Sequence, residues 1–382
     1  MVKKVCVIGA GTMGSGIAQK IAQEGFEVLL LDLKEEFLRN GMERIKSLLK
    51  EGVEKKIFKE ADVERILGRI KTTTREEDAA DCDLVIEAVF EDEKVKAELF
   101  KKLNKVCKKE CIFATNTSSL SVTALGSASG RPERFVGMHY FYHPAKNRLL
   151  EVISGEQTDE EVLKEAAQFG YLHGKTVITV KDTPGFIVNR FFVPWLNEAV
   201  RLVSEGWTNP KTVDEAVKES FGIGMGPFEL MNVTGIPIAY HSMESLRAKL
   251  GEFYAPSALL KERFEKGTKW EIEKGDVEKE KFELVRRRML GAVFFVVGEM
   301  LDEEVASPAD IDRGAKIALR WRKGPFEMMN AIGIGESYWL VYDVSRRYGV
   351  ELPKAISAQY LCMKKWRIDY VDLRIDDSIA HI

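Results

Sequence analysis

No apolar run in this 382-residue sequence approaches the roughly 18 residues that a membrane-spanning helix needs, so no membrane role is expected. The opening MVKKVCVIGAG runs straight into a strand pattern and leaves no room for a signal peptide. A cytoplasmic protein is expected. An excess of one charge is also missing: 57 basic residues face 60 acidic ones, a net of -3, which excludes the basic footprint of a nucleic-acid binder. Cysteines are few, odd in number and scattered: Cys6, Cys82, Cys107, Cys111 and Cys362, with no CxxC. Reduced thiols are expected, with no disulfide framework and no metal site. What the chain does have is 45% hydrophobic residues, enough to bury real cores and to exclude global disorder. Its length suggests two or three domains.

Val5–Ile8 is a continuous apolar run of the kind that is buried on both faces of a sheet. It feeds Gly9-Ala10-Gly11-Thr12-Met13-Gly14, then Ile17, Ile21 and Ala22 at helical spacing. A second strand, Val28–Leu31, ends in Asp32, 18 residues past Gly14. A lone GxGxxG is weak, but strand, glycine turn, helix and downstream acid together specify a dinucleotide site. Gly9 allows the tight turn, Gly11 the approach of a pyrophosphate, and Gly14 close packing of the helix on the sheet. Free N–H groups of Thr12 and Met13 at the helix start favour the phosphates. Asp32 accepts from the ribose hydroxyls and repels a 2′-phosphate, so the cofactor expected is NAD.

Residues 35–70 predict a charged helical pair interrupted near Glu51-Gly52, inserted after the second strand. Lys55, Lys56 and Lys59 on it could meet a phosphate-rich ligand or form a solvated face. Alternation then resumes with a strand at Leu84–Ala88, a helix from Glu93, and a strand at Ile112–Ala114 running into Asn116-Thr117-Ser118-Ser119. Ligands bind beyond the C-terminal ends of such strands, which puts Glu91 and the 116–119 cluster on the cofactor side. Ser118 is equally a candidate helix N-cap.

His139 and Glu151, 12 residues apart, lie in two apolar runs, Phe135–Phe141 and Leu149–Ile153. If the runs pair, the carboxylate reaches the imidazole and makes a proton-transfer device. On spacing alone, a hydrogen-bonded core histidine beside an edge glutamate reads as well.

From Asp182 the pattern turns helical, with Asn189-Arg190 in the first turns after Pro184-Gly185. An internal repeat follows: GPFELMNVTGI at 226–236 and GPFEMMNAIGI at 324–334 agree at 8 of 11 positions, at an offset of 98. This is a duplicated helical unit. GPFE occurs in both copies, so it reads as a turn and helix start rather than as catalysis. Asn189 corresponds to Arg287 in the second copy and has no polar-amide twin, which raises it as a site residue. The expected fold is an α/β Rossmann domain (1–182, mostly parallel and doubly wound, hairpin at 35–70). An all-α region of two repeated units (183–281 and 282–366) follows, then a tail (367–382).

GAGTMGSGIAQ, IEAVFED, NTSSL, GMHYF, LLEVI, DTPGFIVNR and the twin MGPFE/KGPFE segments together resemble the NAD-dependent 3-hydroxyacyl-CoA dehydrogenases over residues 1–365. The resemblance implies that His139 is the catalytic base and Glu151 the acid that orients it. It implies that Ser118 and Asn189 bond the substrate oxygen, and that Glu91 and Lys96 lie near the nicotinamide end of the cofactor, with Asn116 on the same side. The hairpin, with Lys55 and Lys56, would receive the CoA nucleotide. The implied reaction is oxidation of a (3S)-3-hydroxyacyl-CoA to the 3-oxoacyl-CoA.

Two departures stand out. The family's Phe-Phe-Asn-Pro after the histidine is here Tyr140-Phe141-Tyr142-His143, with Pro144 one place later. And Tyr370–Ile382 resembles the first strand of an enoyl-CoA hydratase, which implies a hydratase partner, fused or associated. The rival readings are a dehydrogenase of a free hydroxyacid or sugar acid, and a non-catalytic NAD-binding scaffold. The second copy could replace a dimer partner, giving a monomer.

Overall fold

The computed structural model describes residues 2–369; the tail Tyr370–Ile382 lies outside them. Eight strands form one sheet: β1 (Lys4–Ile8), β2 (Glu27–Leu31), β3 (Ile70–Thr73), β4 (Leu84–Glu87), β5 (Ile112–Thr115), β6 (Phe135–Tyr140), β7 (Leu149–Ser154) and β8 (Thr176–Lys181). Their order is β3-β2-β1-β4-β5-β6-β7-β8. All neighbours are parallel except β6 and β7, which are antiparallel. The order reverses between β1 and β4, the crevice where dinucleotides bind in such sheets.

The helices woven between the strands are α1 (Thr12–Gln23), α2 (Glu35–Glu54), α3 (Glu60–Gly68), α4 (Glu93–Val106), α5 (Val122–Ser129) and α6 (Glu160–Leu172). Period-2 alternation along β1 divides the core. Val5 and Val7 face the layer that holds Ile17, Leu38 and Phe169 of α1, α2 and α6. Cys6 and Ile8 face Phe100 and Leu125 of α4 and α5, in a core continuous with the helical region.

The interruption expected near Glu51-Gly52 falls instead after Glu54, and α3 starts at Glu60. Gly52 lies inside α2, and a Cβ there would sit 2.4 Å from Phe58 Cδ2. The glycine admits the returning chain and does not break the helix. Lys56, at φ 60, turns the connection.

The helical region runs α7 (Val188–Ser204), α8 (Pro210–Phe221), α9 (Pro227–Thr234), α10 (Ile236–Leu250) and α11 (Ala258–Lys266). It continues with α12 (Phe282–Asp302), α13 (Pro308–Ala318), α14 (Pro325–Ile332), α15 (Ile334–Tyr348) and α16 (Lys354–Cys362). The repeat is visible atom by atom. Asp214 accepts from the N–H groups of Phe228 (2.8 Å) and Glu229 (3.0 Å), capping α9. Asp312 does the same for Phe326 (2.8 Å) and Glu327 (3.0 Å) at α14. Gly226 and Gly324 are required there, since a Cβ would lie 2.4 and 2.2 Å from those carboxyl groups. GPFE is thus a helix start held by an upstream aspartate.

The copies also meet reciprocally. Arg190 pairs with Glu303 at 2.6 Å and Arg288 with Glu205 at 2.9 Å, and each residue's counterpart lies 98 positions away. Such exchange is the mark of a twofold contact, here within one chain. Among the described residues no helix is long and apolar enough to cross a membrane.

Candidate active site

β6 and β7 pair so that His139 stands opposite Glu151. His139 Nδ1 lies 2.6 Å from Glu151 Oε2, and both residues are buried. The other carboxylate oxygen, Oε1, accepts from the N–H groups of Ile187 (3.1 Å) and Val188 (3.0 Å). These are the unpaired donors at the start of α7, where a negative charge is favoured. A carboxylate surrounded by donors can only accept, so Nδ1 carries the imidazole proton and Nε2 presents its lone pair. The rings of Phe141 and Phe186 stand 4.5 and 5.7 Å from the imidazole and give it apolar walls. Asn189 follows Val188 in the first turn of α7, half-buried. One turn of helix therefore positions both the partner of the histidine and the candidate substrate amide.

Ser118 is exposed, and its N–H donates to Glu91 Oε1 at 3.0 Å. It is not an N-cap. That position belongs to Ser121, whose hydroxyl accepts from Ala124 N–H (3.1 Å) and donates to Asp182 (2.8 Å). Glu91 also receives the hydroxyls of Thr117 (2.5 Å) and Ser119 (3.2 Å), so this one carboxylate gathers the whole 117–119 turn. Asn116 Oδ1 accepts from Tyr140 N–H at 2.9 Å, tying the same turn to β6 next to His139.

Lys96 is buried, with Nζ 3.0 Å from Glu87 and 2.7 Å from Glu91. It stands beneath Glu91 and not on an open surface. Burial pulls the Glu91 carboxyl up, but Lys96 and the hydrogen bonds outweigh it and hold the group below its ordinary range. Burial wins for Glu87, whose carboxyl is pushed up despite Lys96 and the Thr115 hydroxyl. The sequence pattern does not single out Glu87. Its only signal was an acid closing an otherwise apolar strand.

Over the β1–β4 crevice lies a cavity of about 710 Å³ whose lining includes Gly9, Ala10, Gly11, Asp32, Arg44 and Lys102. The residues fit a dinucleotide. Gly9 is held at φ 99, and a Cβ would meet Ala88 O at 2.5 Å; Gly11 faces open space; a Cβ on Gly14 would strike Gly9 O at 1.7 Å. Thr12 and Met13 open α1, whose N-terminus has no side-chain cap. Asp32 accepts from Ala10 N–H (2.6 Å) and Leu33 N–H (2.7 Å), and each oxygen keeps a further lone pair. Arg44, donating to Ala10 O at 2.8 Å, was missed in the sequence because α2 carries it back to the crevice from 12 residues beyond Asp32.

A second cavity, about 360 Å³, is lined by Gln19, Leu48, Lys55, Phe58, His143 and Lys146 among others. Glu51 lies between the ammonium groups of Lys55 and Lys146. Lys56 does not line this cavity. His143 is half-buried, and burial, with Lys146 nearby, holds its imidazole below the ordinary range. It lines this cavity, while the partner of Glu151 in the strand pairing is His139.

The profile described as "3-hydroxyacyl-CoA dehydrogenase, NAD binding domain" matches residues 4–183. That of "3-hydroxyacyl-CoA dehydrogenase, C-terminal domain" matches residues 185–276 and 285–365. A "Probable 3-hydroxybutyryl-CoA dehydrogenase" of Deinococcus radiodurans is 43% identical over 265 residues, covering 69% of this chain and 95% of that protein. The mitochondrial hydroxyacyl-coenzyme A dehydrogenase of Sus scrofa is 42% identical over 260 residues, covering 64% of this chain and 82% of that one. The crystal structure of 3-hydroxybutyryl-CoA dehydrogenase from Escherichia coli K12 superposes with a TM-score of 0.88 at 25% identity, over 95% of this chain and 99% of that chain.

Proposed function

This chain belongs to the 3-hydroxyacyl-CoA dehydrogenase family, and on that premise we propose that His139 is its general base, oriented by Glu151, with Ser118 and Asn189 as the groups that hold the substrate oxygen. The chain is an NAD-dependent oxidoreductase of 3-hydroxyacyl-CoA. When bound, NAD supplies the hydride acceptor. Gly9, Gly11, Thr12, Met13, Gly14 and Asp32 would hold its adenosine diphosphate part. Glu91, Lys96 and Asn116 act at its other end, with Lys96 working through Glu91.

His139 Nε2 takes the proton of the C3 hydroxyl as C3 becomes a ketone, giving the 3-oxoacyl-CoA. Nδ1–H stays on Glu151, whose charge stabilises the imidazolium that forms, a division of labour known from catalytic triads. Phe141 and Phe186 give the ring apolar walls, and the proton His139 takes from the hydroxyl passes to solvent before the next turnover, as the net release of one proton requires. Positioned acid–base catalysis contributes roughly 10²–10⁴-fold; orientation of the two reactants supplies the larger part. The observation that carries this reading is the double use of Glu151, one oxygen on His139 and the other on the α7 N-terminus.

The lysine-lined cavity at the hairpin tip is proposed to receive the CoA nucleotide through Lys55 and Lys146, with Lys56 outside its lining. An enoyl-CoA hydratase partner rests on the residue pattern of Tyr370–Ile382 alone. A cytoplasmic location is supported by five free cysteines. Oxidation of NADH with acetoacetyl-CoA, set against free acetoacetate, tests the substrate class. Turnover of the thioester alone is expected; equal rates on both would overturn the CoA reading.

A further inference from the structure

Lys175 immediately precedes β8 and is only 4% exposed. Its ammonium meets carbonyl oxygens: Nζ donates to Pro144 O at 2.5 Å and to Asn147 O at 2.7 Å, and it stands 5.3 Å from the centre of the Tyr140 ring. Burial pulls the group down to about 7, with Lys20 of α1 adding to the effect and Glu24 opposing it. An ammonium so enclosed costs free energy unless what it holds is worth holding. An amino group has N–H donors enough to bridge two carbonyls that face the same point, protonated or not.

Both carbonyls belong to the 141–148 connection between β6, which carries His139, and β7, which carries Glu151. The outer side of this connection supplies His143, Ala145 and Lys146 to the second cavity, facing Lys55 across it. It is fastened outside by Lys146 to Glu51 (3.3 Å) and by Asn147 Nδ2 to Ala318 O (3.3 Å) at the end of α13. Lys175 is the fastening on the inner side.

We propose that Lys175 is a positioning residue that shapes the 141–148 connection so that His143 and Lys146 face the nucleotide end of the acyl-CoA substrate. The proposal rests on the functional reading above and adds a residue that touches neither substrate nor cofactor. The same lysine leaves the His139–Glu151 pair in place, because that pair is held by strand register and by α7. Its effect therefore falls on acyl-CoA binding and not on the chemical step.

The test compares Lys175→Met and Lys175→Arg in the full chain. NADH absorbance is followed with acetoacetyl-CoA and with its N-acetylcysteamine thioester, which lacks the nucleotide. For Lys175→Met the KM for acetoacetyl-CoA is expected to rise about tenfold, the equivalent of ~1.4 kcal/mol. The kcat, NAD binding and the KM for the short thioester stay at wild-type values. Lys175→Arg, which keeps the charge and the donors, restores much of the loss. Equal changes for both thioesters, or no change for either, would overturn the proposal. If Lys175→Met does not fold, Lys175→Gln is read the same way, and insolubility of both variants also overturns it, since the lysine would then serve the whole fold. A wild-type chain inactive on acetoacetyl-CoA would instead bring down the functional reading, and this proposal with it.

Discussion

Arg190 reaches from α7 to Glu303 at the end of α12, 2.6 Å away, and its repeat counterpart Arg288 reaches back to Glu205. The two helical copies therefore present to each other the self-complementary face that a symmetric dimer would use. The chain is expected to sediment as a monomer of 43.2 kDa. Glu303→Ala removes the carboxylate that pairs with the buried Arg190 guanidinium and leaves it the Tyr254 hydroxyl at 3.1 Å. Because Glu303 is 43% exposed, the expected loss is about 2 kcal/mol, below the ~3–5 of a fully buried pair. Urea unfolding measures it, and an unchanged midpoint would remove the pair from the account.

Lys96 stands between two carboxylates, one of them wholly buried. Lys96→Met leaves Glu87 without its counter-charge and is expected to destabilise the chain by ~3–5 kcal/mol. Thermal melting reads the effect directly. A melting temperature equal to wild type would show that Glu87 needs no cation.

Burial pushes both twin aspartates, Asp214 and Asp312, up to about 7 despite the two N–H groups each accepts. An unfolded aspartate titrates near ~4, so between about 4 and 7 the folded chain holds protons that the unfolded chain has lost. Their contribution to stability is complete below that window and is lost as pH rises through 7. Asp214→Asn with Asp312→Asn should flatten this part of the profile. The readout is the difference in melting temperature between wild type and double variant at pH 4.5 and 7.5. A constant difference would contradict the raised values.

How far these features were legible in the sequence depended on whether local pattern determined them. The glycine turn, Asp32 and the His139–Glu151 register follow from strand periodicity and from one antiparallel pairing, so they could be anticipated. The burial of Lys96 and Glu87 could not, because charged residues are buried only where a distant partner compensates them. Gly52 looked like a breaker because nothing local showed Phe58 folding back onto it. Ser121 displaced Ser118 as the cap because Asp182, 61 residues on, fixes where α5 begins. The Arg190–Glu303 exchange became visible only once the offset of 98 was laid on the helices.

Glu151→Gln keeps the shape and an acceptor for the α7 N-terminus, but its amide cannot stabilise an imidazolium. The kcat should fall by roughly 10²–10⁴-fold while NAD affinity is unchanged. Single-turnover kinetics separates the two, and weakened NAD binding with normal turnover would assign Glu151 to the cofactor instead.

The central claim is that His139 moves the proton of the C3 hydroxyl. Its most direct test is kcat with acetoacetyl-CoA for His139→Ala, alongside NADH binding by fluorescence. The account predicts that turnover falls by roughly 10²–10⁴-fold with binding intact; a wild-type kcat in that variant would contradict it.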